Sequence, residues 1–283
     1  MAASQAVLIG MAVLAASAEV KLSRTQIEPL SITTTIFRAW WFEPAVATLG
    51  FASSIAFFDG HERREGYGPR DTFGIAPLVM VAYWLFVWTW MALVPPPSGE
   101  IPDGWPTRSA SAFAYLALEV AYGIWAYDLI IFWIHWGMHA GQMETHAFHH
   151  SKHRHRSPQH GGPRRGQHDA AVGCAADWQL RARDVLAHAS LDGALQVVAN
   201  IAVQRTLPWG ANKSRLARSL HNLLVTWMLT EAHTAAREPR LFRRFCSGVR
   251  EHRQHHEGGR DAYQQVFGYL DHARAVLLAR RGG

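Results

Sequence analysis

Three histidine words set the terms on which this chain can fold: His135 and His139 as HxxxH, His146, His149 and His150 as HxxHH, and His252, His255 and His256 as HxxHH again. With His188 and His233 between them, they account for ten of the seventeen histidines. On a helix, residues three or four apart share a face, so each word aims two or three imidazoles at a common point. Eight convergent imidazoles are too many for one metal ion. Imidazole is a borderline ligand that suits iron, zinc and copper alike, and eight or nine of them divide naturally between two ions. The spacing therefore predicts a dinuclear centre. Lone histidines such as His61, His160 and His168 are expected to be packed or solvated side chains. His153 and His155 alternate with arginines, whose charge opposes a bound cation, and read as a solvated loop.

The apolar content of 49%, with 12 Trp and 13 Phe, is rich for a soluble protein, and it is segregated. Residues 73–94 form one apolar run, and 110–136 form a second that carries only Glu119 and Asp128. Each is about as long as a hydrocarbon core requires, which predicts two membrane spans. The shorter run 44–58 fits a span, a partly embedded segment or a core helix equally well. Residues 6–18 end in Ala-Ser-Ala, but no Lys or Arg precedes them, so they read as an N-terminal hydrophobic segment rather than a cleaved leader. Cys174 and Cys246 stand far apart, which excludes a disulfide framework and leaves any metal to the histidines.

The net charge is +6. Arg63, Arg64 and Arg70 precede the first expected span, whereas the loop 95–107 carries no base. The positive-inside tendency then puts all three histidine words on the cytoplasmic side. These bases flank apolar runs and belong to no recognition motif, so no nucleic-acid partner is expected. Asp128 shares a helical stripe with His135 and His139. An acid in such a run is costly in lipid and is expected to face the protein, bonded to a ligating imidazole. Residues 157–173 read as a loop with the look of a lid. The helical runs 185–203 and 216–230 are interrupted by Asp192, Gln196, Asn200, His221 and Asn222, which predicts a pair that is re-entrant or shielded within the fold. The expected architecture is all-α: an integral membrane helical bundle with a cytosolic, His-rich di-metal cap, membrane-embedded over 1–109 and catalytic over 110–283.

From about Asp128 to Asp271 the chain resembles the fatty acid hydroxylase/sterol desaturase superfamily of integral-membrane non-haem di-iron oxygenases. The resemblance rests on Asp-x-x-x-Phe-Trp-x-x-His-x-x-x-His at 128–139, His-Ala-Phe-His-His at 146–150 and His-Arg-Gln-His-His at 252–256. Leu-Asp-Gly-Ala-Leu-Gln at 191–196 is similar to a stretch of the sterol C5-desaturase relatives, and His233 stands where the family has an additional ligating histidine. The chain departs from the family at Ala189-Ser190, where those relatives have His-Pro, and His188 is accordingly not carried over as a ligand.

The resemblance implies that His135, His139, His146, His149, His150, His233, His252, His255 and His256 bind two iron ions, with Asp128 supporting them. It implies O2-dependent hydroxylation or desaturation of a lipid, sterol-like or fatty-acyl, and residence in the endoplasmic reticulum if the source is eukaryotic. The chain contains no dinucleotide-binding or haem-binding word, so electrons from NAD(P)H must arrive through a separate donor. The family implies cytochrome b5 with its reductase. Trp84, Trp88, Phe132 and Trp133 are candidate walls of a lipid cavity. Two other classes compete: a His-cluster protein that binds or transports metal, and a catalytically inactive lipid-binding relative. On the leading reading, His149→Ala or His255→Ala abolishes turnover while the protein still inserts in the membrane, and His160→Ala is nearly silent. Product formation by the extracted variants checks this, and its retention by the cluster variants refutes it.

Overall fold

An apolar segment that satisfies its own backbone hydrogen bonds must be helical, and every regular element among the described residues is a helix. The computed structural model describes residues 42–67, 76–93, 110–141, 144, 146, 150, 180–186, 190–205, 213–237, 239–258 and 262–281. The α-helices are α1 (Phe42–Arg64), α2 (Ala76–Leu93), α3 (Ala110–Ala140), α4 (Ser190–Arg205), α5 (Arg215–His233), α6 (Ser247–Gly258) and α7 (Tyr269–Arg281). Short 3-10 turns occupy Ala182–Leu186 and Phe242–Arg244. The expectations for 6–18, 95–107 and 157–173 fall outside the described residues.

Among the described residues one helix is long and apolar enough to cross a membrane, over Phe113–Ala140 of α3. The other span expected, at 73–94, is helical over Ala76–Leu93, with a shorter apolar core at Met80–Thr89. The run 44–58 lies inside α1. This helix stops where Gly66 turns into the left-handed region at φ 87°. There Tyr67 N–H donates to the Glu62 carbonyl and Gly66 N–H to that of Arg63, a Schellman ending that needs a residue without Cβ.

The described residues group into two compact units, one within Met1–Ser54, Thr72–Ile131 and Gln196–Met228, the other within Ile55–Asp71, Phe132–Leu195 and Leu229–Gly283. In the first, buried carboxylates tie polar groups into an apolar interior. Glu43 takes Arg218 through two bonds of 2.6 and 2.8 Å, and Glu119 accepts from the Ser214 N–H and hydroxyl. Gly50 and Gly123 mark close approaches: a Cβ at Gly50 would collide with Leu223 Cδ2, and one at Gly123 with Lys213 Nζ. Lys213 is fully buried. Burial pushes its ammonium down to about 8, against the opposing pull of Glu119.

In the second unit the organising acceptor is Glu62, whose Oε1 takes the Ala182 N–H at 2.9 Å, the Thr234 hydroxyl at 2.7 Å and the Ala235 N–H at 2.8 Å. It thereby fixes the chain on leaving His233 and the 3-10 turn at Ala182–Leu186. Burial pushes the Glu62 carboxyl above its ordinary 4.5, outweighing the three bonds. Truncation would leave two backbone donors and a hydroxyl without an acceptor, so Glu62→Ala should cost about 2–5 kcal/mol. Glu62→Gln keeps the accepting oxygen and should cost much less. Because the folded-state value is raised, the ionised acid is a burden at neutral pH that is relieved as pH falls through that value toward 4.5. Wild type should therefore gain on Glu62→Gln over that interval; thermal unfolding against pH checks both statements, and equal losses in the Ala and Gln variants refute the first.

Candidate metal centre

The histidine words reach the second unit from four segments. The last turns of α3 carry His135 and His139 one turn apart, the chain just beyond supplies His146 and His150, α5 ends on His233, and α6 carries His252, His255 and His256. Their spacing sorts them into two groups of potential ligands. One comprises His135, His139, His146, His150 and His255; the other comprises His233, His252 and His256; within each, the ligand atoms lie within 4.8 Å of one another. The word at 252–256 is thus shared. His252 and His256, four apart, serve one group, and His255, on a different helical face, serves the other. The groups adjoin, with the His150 and His256 rings 4.7 Å apart between centroids. His149, expected as a ninth ligand, lies outside the described residues, as does His188.

In the first group four Nε2 atoms close a ring. The spacings are 3.0 Å from His139 to His146, 3.1 Å from His146 to His150, 3.1 Å from His150 to His255 and 3.2 Å from His255 back to His139. In the second, His252 Nε2 is 3.3 Å from His233 Nε2 and 2.9 Å from His256 Nε2. Nitrogens this close need something between them. A proton on Nε2 bridges only one contact, whereas one cation satisfies every lone pair aimed at it. For ligands at right angles around an ion, the ring spacings correspond to metal–nitrogen bonds of about 2.1–2.3 Å, close to the ~2.0–2.1 Å of an imidazole–zinc bond.

The opposite nitrogens show which side of each ring faces the metal position. His135 Nδ1–H donates to the Tyr263 carbonyl at 2.9 Å and His233 Nδ1–H to the Leu229 carbonyl at 2.7 Å. Carbonyls only accept, so these nitrogens carry the protons and Nε2 keeps its lone pair. His146 Nδ1 meets the Asp192 carboxylate at 3.2 Å, with both groups buried. Burial, then the neighbouring imidazoles led by His233, push His252 well below its ordinary 6.5, which favours its neutral form. The described residues of both groups are all imidazole, without Cys, Asp or Glu.

Two supports were not legible beforehand. Asp192 was read as a residue interrupting a helical run and as part of the Leu-Asp-Gly-Ala-Leu-Gln word at 191–196, without a contact to a histidine. Tyr263 packs its ring against His135, His139 and His255 at 5.3–5.7 Å between centroids. Its backbone N–H, with that of Gln264, donates to Asp271 in the first turn of α7. Ala262, just before it, holds φ 71°, a costly conformation for a residue with a Cβ. Asp128, expected beside a ligand, is fully buried.

No family model, curated protein or solved structure matches the chain. The site itself therefore carries the functional argument. Removing the carboxylate behind a metal-bound imidazole typically weakens affinity about 10–100-fold. Asp192→Asn should do so here, read by competition of a chelating dye for the bound metal, whereas the exposed Glu144 changed to Gln should not. Equal affinity in the two variants would show that Asp192 is only a packing group.

Proposed function

We propose that this protein is a membrane-bound di-iron oxygenase that hydroxylates or desaturates a lipid with O2 and electrons from NAD(P)H delivered by a separate donor. The carrying observation is the pair of adjoining all-imidazole groups, each of a size to take one ion. Iron is the reading of the three-word resemblance; the donor set alone suits zinc and copper as well. Two irons, when bound, would supply dioxygen activation for cleavage of an unactivated C–H bond.

The chain's own residues prepare this site. His135, His139, His146, His150 and His255 would hold one ion, and His233, His252 and His256 the other. Neutral nitrogens leave the charge of the metals uncancelled. The bonds from Nδ1 to Tyr263, Asp192 and Leu229 fix ring orientation before a metal arrives and hold protons away from the ligating atoms. Burial of all these imidazoles except the half-buried His139 limits water near a reactive centre. On this reading the helix over Phe113–Ala140 crosses the membrane, the histidines face the cytosol, and cytochrome b5 or a similar protein supplies the electrons, at the endoplasmic reticulum if the source is eukaryotic.

Hydroxylation turns one O2, two electrons, two protons and one C–H bond into an alcohol and water; desaturation removes two hydrogens and yields two waters. The test is purified protein in lipid nanodiscs, expected to hold about two iron ions per chain and to consume NADH with O2 when given donor and reductase. Lipid mass spectrometry should find a gain of one oxygen or loss of two hydrogens. Metal bound without O2 uptake overturns the oxygenase reading in favour of metal handling, and absence of metal favours a lipid-binding scaffold.

A further inference from the structure

A narrow cleft, open at its mouth, lies within the first unit and is lined from α1, α2, α4 and α5. One wall is apolar, including Ala47, Val87 and Ile201; the other carries the amides of Asn200, Gln204 and Asn222. Two of the aromatic residues expected to wall a lipid cavity instead turn outward, Trp84 and Trp133 being 37% and 56% exposed. Beside Trp84 on α2, Tyr83 lines the cavity.

The amide wall is a connected hydrogen-bonded network. Gln204 Nε2 donates to Asn200 Oδ1 at 3.1 Å and Asn222 Oδ1 at 2.8 Å, and Asn200 Nδ2 donates to Asn222 Oδ1 at 3.0 Å. His221 Nε2 completes it on Asn200 Oδ1 at 2.7 Å. Flipping Gln204 alone would set its oxygen against two acceptors, and reversing all three amides together, with His221 Nε2 accepting, merely exchanges the free donor and the free acceptor at the network's ends. Two groups are left over: Gln204 Oε1, an acceptor, and Asn222 Nδ2, a donor, make no hydrogen bond to any described residue. The charged lining residues do not compete for a ligand, because Glu43 and Arg218 engage each other through two bonds. Asn200 and Gln204 are more than nine-tenths buried, so polar capacity is held where an apolar chain would also be sheltered.

We propose that this cavity binds the neutral head of a long-chain lipid, a head that both donates and accepts a hydrogen bond, as a hydroxyl or primary carboxamide does. The head bonds Gln204 Oε1 and Asn222 Nδ2 together, and its first methylenes lie on Ala47, Val87 and Ile201. A carboxylate head would leave Gln204 Oε1 facing another acceptor, and an alkane would leave both amide groups unpaired. Binding needs neither metal nor turnover, so it stands apart from the oxygenase reading.

The test uses the full chain in nanodiscs and a diazirine-bearing octadecanol, with labelled peptides identified by mass spectrometry. Label is expected on segments 197–204 and 218–222. Unlabelled octadecanol and octadecanamide should compete about tenfold better than stearate or octadecane, the value of about one hydrogen bond. Asn222→Asp keeps the oxygen that accepts from Asn200 and Gln204 and replaces only the free donor; labelling should fall about tenfold. Val197→Trp fills the cavity without touching the network and should abolish labelling, which decides the matter if Asn222→Asp fails to fold. Equal competition by octadecane, label confined to other segments, or full labelling of Val197→Trp overturns the proposal. Failure of iron binding or NADH consumption would leave these readouts unmoved.

Discussion

Lone pairs set about 3 Å apart repel, and the second unit is organised around that fact. Four Nε2 atoms face one another in one group and three in the next, an arrangement that a positive charge at its centre would stabilise. Protons are a poor solution inside a buried cluster, where desolvation and neighbouring imidazoles disfavour imidazolium, as at His252. A metal cation would meet several lone pairs at once, and both groups are of a size to hold one. The outward bonds of His135, His146 and His233 follow from the same requirement, since each proton parked on Nδ1 leaves Nε2 available.

Asp192 meets an imidazole directly, whereas three other carboxylates in this unit act one step back. Glu62 holds Ala182, Thr234 and Ala235; Glu231 takes the Phe242 and Arg243 N–H groups; Asp271 takes those of Tyr263 and Gln264. All three secure irregular backbone, where buried N–H groups have no helical partner. Rigid connections matter because metal ligands must be placed to within a fraction of an ångström, and His233 and Tyr263 both stand beside such clamped segments.

How much of this was legible in the sequence follows from the range of each interaction. The pairs His135/His139 and His252/His256 are local, with one helical turn fixing them, and their convergence could be read from spacing. Helical character of 76–93 and 110–140 was likewise visible as apolar runs. The division of the 252–256 word between two groups was not, because it depends on which neighbour each helical face meets. Asp192, Tyr263, Asp271 and Glu62 were missed for a related reason. Their contacts join residues distant in sequence or rest on a backbone carbonyl, and neither leaves a periodic trace. Asp128 attracted attention through its place on the histidine stripe, a local cue, whereas the carboxylate reaching His146 comes from α4.

The bond from His135 to the Tyr263 carbonyl spans 128 residues, and that distance imposes an order of events during synthesis. The ribosome makes the first histidine word long before it makes the carbonyl that orients its leading ring, or the Asp271 carboxylate that steadies that carbonyl. A chain halted between the second and third words would lack the carbonyl that orients the His135 ring. The orientation of His135 is therefore a property of the completed domain, fixed only once the segment carrying Tyr263 and Asp271 has docked.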